Sequence, residues 1–303
     1  PSSARALFDL KTMDKTALPG RADFRFFDRL RVRWAEVDMQ GIVFNAHYLM
    51  YFDTAMTGYW RALALPYAEA MAQLQGDLYV RKAGIEFHAS ARMDDTLDIG
   101  LRCARIGRSS MTVAGAMYRG DQLLITGELV YVFADPATQT SRPIPPVLRE
   151  ILQGFDAGQV MTEVRTGDWA ALGEAARAVR TAVFIQEQGI AREDEWDALD
   201  AQVLHAVVCN RLGQPVATGR LLQDAPGIAR IGRMAVLRPL RGTGLGEGVV
   251  DALEQAAGAR GDHEVRLSAQ RSAEGFYRRL GYQPYGEPYE EVGIAHIGMR
   301  KAL

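Results

Sequence analysis

Chemistry is best sought first in a short glycine-rich run. Gly242, Gly244 and Gly246 fall within five residues of Arg241, between a strand pattern and a helix pattern. Glycines so spaced leave successive backbone N–H groups uncovered at a helix start, and a diphosphate suits such a cradle. Spacing excludes two nucleotide readings. A dinucleotide fingerprint needs glycine where Glu247 stands, and a phosphate-binding Walker loop needs Gly-Lys-Ser/Thr, which is absent. The bland alternative is a simple turn into a helix.

A second run places a carboxylate, Asp38, just before a long helical pattern, among Glu36, Gln40, Gly41, Asn45 and His47. An acid there can act as a nucleophile or activate water, with helix-start N–H groups stabilising an oxyanion. It can equally be a cap or dipole partner of that helix. Asn45 can orient a substrate or serve as N-cap, and Glu36 and Asp53 are the acids most easily confused with Asp38.

The elements that must position these residues form two dissimilar halves. Leu30, Val32 and Trp34 alternate as in a half-buried strand, and Tyr48, Phe52, Ala55, Tyr59 and Leu63 mark one stripe of a long helix. Four extended segments follow at 78–88, 96–106, 110–119 and 122–134, with turns at Gly107 and at Gly120-Asp121. Prolines stop that pattern, and a short helix spans 147–153. Residues 154–159, with two glycines and an acid expected to be exposed, Asp156, read as a hinge with the boundary near Gly158. Beyond it come a helix marked by Trp169 to Val183, an acidic loop from Glu193 to Asp200, and strands at 203–210, 215–222 and 228–236. The glycine loop and its helix follow, then a strand at 265–269, a helix at 273–280 and a closing strand at 294–299.

Length agrees with two units. The 303 residues suggest two domains, and 48% hydrophobic with 24% charged residues match an ordinary soluble globular chain. A net charge of -2 gives no cationic excess for a nucleic acid or an anionic bilayer. No apolar run approaches the ~20 residues of a membrane span. Cys103 and Cys209 match no metal spacing and read as small hydrophobes, so a reducing cytoplasm and no metal are expected. Charges within the first twenty residues interrupt any signal core, and residues 1–21 read as a flexible arm.

The loop from Arg241 to Gly246, with Phe276-Tyr277-Arg278-Arg279-Leu280-Gly281-Tyr282 downstream, resembles the GNAT superfamily of N-acetyltransferases over about 161–303. Val183 to Gln188, Asp197, Asp200, His205 and the stretch from His296 to Met299 are similar to a small uncharacterised branch of it. That resemblance implies that Met234, Ala235 and Val236 bond the pantetheine of acetyl-CoA along an opened strand edge. It further implies that Arg241, Gly242, Thr243, Gly244, Leu245 and Gly246 hold the diphosphate, and that Tyr277 protonates the departing thiolate. A lysine-type amine of pKa about 10.4 is neutral at pH 7 only at a cost of roughly 4.6 kcal/mol, so a proton acceptor is expected. Glu187, Asp200 and Glu291 are candidates, each of them equally a solvated or helix-pairing carboxylate. His205 and His296 read as packing or substrate contacts, and the acidic loop hints at a cationic acceptor.

The run from Arg33 to Tyr48, with Tyr51-Phe52-Asp53, residues 87–95 and residues 107–110, resembles the hotdog-fold acyl-CoA thioesterases of the 4-hydroxybenzoyl-CoA thioesterase type over about 24–153. Asp38 matches that family's catalytic acid, Asn45 and His47 orient substrate, and Arg108 meets CoA phosphates or is simply a solvated turn residue. The expected fold is therefore α+β: a hotdog domain at 22–156 whose long helix is wrapped by an antiparallel sheet, then a GNAT domain with a mixed sheet at 160–303. The implied protein is a bifunctional enzyme using acyl-CoA and an amine acceptor, a homodimer or tetramer through its hotdog domain. The alternatives are an acyl-CoA-binding regulator without turnover, or one active domain carried on a scaffold.

Overall fold

The computed structural model describes residues 18–303. In its first half, β1 (Phe26–Arg31) leads through a loop to α1 (Asn45–Ala62) and the short α2 (Tyr67–Leu74). Then come β2 (Asp77–Phe87), β3 (Thr96–Ile106), β4 (Ser110–Arg119), β5 (Gln122–Ala134) and α3 (Pro146–Asp156). The five strands pair antiparallel in the order β1-β3-β4-β5-β2 and curl around α1. Alternating strands fold this way because one face is apolar, and α1 buries Tyr48, Phe52, Ala55 and Tyr59 against it. The close approach depends on Gly115 and Gly127, directly paired on β4 and β5, where any Cβ would collide with the Phe52 ring. This is the hotdog arrangement.

The second half opens with β6 (Thr162–Gly167), α4 (Trp169–Arg180), a π-helical turn (Thr181–Glu187) and α5 (Arg192–Glu195). It continues with β7 (Leu204–Asn210), β8 (Pro215–Ala225), β9 (Ile228–Val236), α6 (Leu245–Arg260), β10 (Glu264–Gln270), α7 (Glu274–Arg279), β11 (Gln283–Glu291) and β12 (Ile294–Ala302). Its seven-stranded sheet runs β11-β12-β10-β9-β8-β7-β6, antiparallel except for the parallel pair β9–β10. A separate core gathers under α6 around Val249, Leu253, Val265 and Leu267.

Several sequence expectations need correction. The first strand ends at Arg31, and Trp34 opens a single 3-10 turn with its side chain 80% exposed. Asp156 is not a hinge residue in solvent: α3 runs through it, and its carboxylate accepts from the Cys103 N–H at 3.0 Å. Burial raises its pKa. Strands β6 and β11 went unread. Both are edge strands, β6 with a single apolar side chain and β11 with two prolines, which an edge tolerates. Of the arm expected over 1–21, residues 1–17 lie outside the described residues and the rest is fastened. The Tyr118 hydroxyl donates to the Pro19 carbonyl at 2.8 Å, and Arg21 pairs with Asp98 at 2.8 Å.

The halves also touch. Asn210 Nδ2 donates to the Ala64 carbonyl at 3.0 Å in a buried contact, and Arg61 donates to the Arg241 carbonyl at 2.6 Å. The end of α1 is thereby tied to the glycine loop. Among the described residues no helix is long and apolar enough to cross a membrane.

Candidate functional site

The second half builds a cleft by splitting its own sheet. β9 and β10 pair from Ile228↔Glu264 to Ile231↔Leu267 and then part. Past that point β10 stays with β12, through Ser268↔Gly298 and Gln270↔His296, while β9 stays with β8. A bulge drives the parting. Between the pairs Arg220↔Gly232 and Thr218↔Ala235, two residues of β9 face one of β8, and Arg233 takes a positive φ of 51°. Met234, Ala235 and Val236 consequently line a cavity of about 730 Å³.

The glycine loop closes one end of that cavity. Gly242 and Gly244 hold left-handed backbone at φ 80° and 86°, and α6 starts at Leu245 with no side-chain cap. Among the described residues, no backbone acceptor meets the N–H groups of 242–247. They form a bare donor nest at the positive end of α6, which suits a diphosphate. Gly242, Gly244, Leu245 and Gly246 line the cavity, whereas the Thr243 hydroxyl turns back to the Leu240 carbonyl at 2.7 Å.

Arg241 also lines it, but its guanidinium grips both carboxylate oxygens of Glu187 at 2.7 Å each and bonds the Val236 carbonyl through Nε at 3.1 Å. The Arg241 guanidinium holds the Glu187 carboxyl below its ordinary value. The structure therefore places Glu187 against the loop arginine rather than beside an acceptor amine.

A second cavity, of about 390 Å³, continues from the first. Gln188, Met234, Gln270 and Tyr277 line both, and Gln270 donates to Gln188 at 3.2 Å across the junction. Tyr277, on α7, is buried and packs edge-on against Phe276 and Tyr282. Burial pushes its phenol pKa up, so it stays protonated and able to donate.

Glu291 and His296 reach the second cavity. The His296 Nδ1 lies 2.8 Å from the Ile294 carbonyl, which fixes the proton on Nδ1 of the neutral ring and leaves Nε2 as an acceptor. Asp200 and His205 play other parts. Asp200 is buried between Arg180 at 2.9 Å and Arg220 at 2.7 Å, and these arginines overcome burial to lower its pKa. His205 bonds the Asp200 carbonyl at 2.8 Å, and its ring packs on Trp169. Sequence reasoning passed over Gln188 and Gln270. The only signal was that Gln188 closes the run starting at Val183.

In the first half, Asp38 sits at the tip of a loop pinned by the bridge Val37↔Val43. Its N–H donates to the Ile42 carbonyl at 2.9 Å and its Oδ1 accepts from the Gln40 N–H at 2.8 Å. It does not cap α1: the capping position is Phe44, without a side-chain bond. Asn45 is therefore the first helical residue, exposed to solvent.

Glu36 faces inward. It accepts from the Tyr51 hydroxyl at 2.7 Å and from the Arg33 N–H at 2.8 Å, and although burial opposes it, bonds from Arg33 and Tyr51 keep its pKa low. Glu36 is thus a brace and Asp38 the half-buried acid left over. His47, one turn into α1, stacks on Tyr51 and carries a buried Nδ1 with no partner among the described residues. Within one chain Arg108 is not brought to Asp38. It lies at the β3–β4 turn, and the eleven residues of β3 span ~33 Å at about 3.3 Å per residue if extended. Among the described residues no cluster of metal ligands is present.

Comparison with known proteins finds a family match in each half. Residues 32–152 match the thioesterase-like superfamily and residues 177–303 the acetyltransferase (GNAT) domain. YyaT, an uncharacterized protein of Bacillus subtilis (strain 168), is 37% identical over 137 residues, covering 44% of this chain and 90% of its own. An acyl-CoA N-acyltransferase from Pseudomonas aeruginosa is 34% identical, covering 46% of this chain and 99% of its own with a TM-score of 0.43. A 1,4-dihydroxy-2-naphthoyl-CoA thioesterase from Synechocystis is 19% identical, covering 43% and 97% with a TM-score of 0.40. The chain belongs to the GNAT acetyltransferase family through its second half, and its first half is a thioesterase-like hotdog domain.

Proposed function

We propose that this protein is a bifunctional acyl-CoA enzyme divided near Gly158, transferring an acyl group to an amine in its second half and hydrolysing an acyl-CoA thioester in its first. The observation that carries the reading is the split between β9 and β10, with bare N–H groups at 242–247 at one end and Tyr277 at the junction of two cavities. Bound acetyl-CoA supplies an activated acyl carbon, and transfer makes an N–C bond, breaks the C–S bond and moves one proton from nitrogen to sulfur. The loop N–H groups hold the diphosphate, and the free edge of 234–236 orients the pantetheine arm. Tyr277 donates its phenolic proton toward the sulfur. His296 Nε2 or Glu291 receives the amine proton, since Glu187 and Asp200 are already engaged by arginines.

In the first half, Asp38 attacks the thioester carbonyl or draws a proton from water, with Asn45 and His47 orienting the substrate. This site is completed by a second copy of the chain. β2 is an open sheet edge ending in Phe87, 57% exposed, and Met39, at 102%, and Met50, at 49%, are further large apolar side chains left in water. Two free cysteines suit a reducing compartment such as the cytoplasm.

One assay tests both halves. Thiol release from an acyl-CoA panel, measured with and without a mixture of primary amines, separates hydrolysis from transfer. Amine-dependent release reports the second half and amine-independent release the first. A panel that is bound but never turned over would leave an acyl-CoA-binding regulator instead.

A further inference from the structure

The acceptor cavity carries donors that the chain itself does not use. Along and behind its wall six charged side chains satisfy one another, and Glu195, Asp197, Arg220 and Arg233 among them line the cavity. Arg180 pairs with Glu195 at 2.5 Å and Asp200 at 2.9 Å, Arg220 with Asp197 and Asp200 at 2.7 Å each, and Arg233 with Glu195 and Asp197 at 3.3 Å each. Three cations cancel three anions. Glu195, Asp197 and Asp200 of the acidic loop are thereby neutralised by arginines from outside it, while Glu193 and Asp194 are not in the cavity lining.

One unused donor and one unpaired positive group remain among the described residues. The Arg220 side chain is 6% exposed, yet its Nε–H has no partner among the described residues, and Arg220 lines the acceptor cavity. A buried donor left unmet calls for a ligand oxygen. Arg230 lines the same cavity, on the same sheet face, since Leu222↔Arg230 and Arg220↔Gly232 are neighbouring pairs of β8 and β9. Among the described residues Arg230 has no carboxylate within 4.0 Å, and it stands directly opposite Arg266, which already holds Glu264 at 2.6 Å and Asp224 at 3.5 Å. Like charges paired across strands are unfavourable unless an anion joins them.

We infer that the acceptor is an amino acid: a small molecule whose carboxylate is held by the Arg220 Nε–H and Arg230 while its amine is presented toward Tyr277. The inference rests on the acyl-transfer reading and adds the acceptor class to it. Glu291 and the His296 Nε2, lining the same cavity, are the acceptors available to the ammonium end. A carboxylate is tolerated near Asp197 because both of its oxygens are bonded by Arg220.

Matched amines test it on the full chain with acetyl-CoA: lysine against cadaverine, and phenylalanine against phenylethylamine. In the wild type, kcat/KM should be at least tenfold higher for the carboxylate-bearing member of each pair, mainly through KM. Arg230→Gln should remove most of that preference, and Arg230→Glu should turn it toward cadaverine. Calorimetric titration of the CoA-loaded wild type with lysine and with cadaverine reads the same preference without turnover. Equal or better use of the decarboxylated amines overturns the inference while leaving acyl transfer standing. Failure to acylate any amine overturns acyl transfer, and the acceptor assignment falls with it.

Discussion

On the proposed reading the two halves handle the same problem of presenting a polar group to an activated acyl carbon, but they differ in completeness. The second half makes its site from one sheet. The bulge at Arg233 parts β9 from β10, and the two cavities with Tyr277 at their junction follow within a single chain. The first half offers Asp38 on a pinned loop beside exposed apolar side chains and an open β2 edge. A chemical group is in place there, but its surroundings are not. A cleft opened inside a sheet can be read as a site directly, whereas an acid on an unpaired rim implies a second surface.

The sharpest way to break this contrast is to remove Asp38. Asp38→Ala should lower amine-independent thiol release by about 10³-fold, mid-range for a positioned acid or base, and leave amine-dependent transfer intact. Hydrolysis that persists would make the first half a scaffold. Next comes Tyr277→Phe, expected to lower kcat for transfer by about 10²-fold with little change in CoA affinity, because the phenol acts late and on sulfur. Stopped-flow transfer and equilibrium binding separate the two effects.

Much of this was legible beforehand, and the reasons are physical. α1 and the strands β3, β4 and β5 announce themselves because one-sided burial imposes a period on the sequence, and Gly242 and Gly244 stand out because glycine takes left-handed backbone without strain. Asp38 and Tyr277 are candidates through their neighbours in sequence. The opposite failures share a cause. β6 and β11 have little apolar face to pattern, and the role of Glu187 stays open between base and paired carboxylate because nothing in sequence reveals that Arg241, far along the chain, folds back onto it. The Arg180–Asp200 network was likewise invisible, since its six members come from α4, the acidic loop, β8 and β9.

Smaller effects refine the comparison within the second half. Gly244→Ala forces a Cβ onto backbone at φ 86°, and the left-handed conformation should cost about 1–2 kcal/mol of stability. The displaced nest should weaken CoA about tenfold, equivalent to roughly 1.4 kcal/mol, measured by calorimetry. Glu187→Gln should change transfer by no more than about threefold, as expected for a partly exposed ion pair rather than a base. A loss of 10²-fold or more would restore Glu187 to the chemistry.

The central claim is that bare amides at the start of α6 hold the CoA diphosphate, and amide NMR on the labelled full chain tests it most directly. Titration with CoA should shift the signals of residues 242–247 strongly, those of 234–236 less, and those around Asp38 least. Saturating CoA that leaves the 242–247 signals where they were would contradict the account.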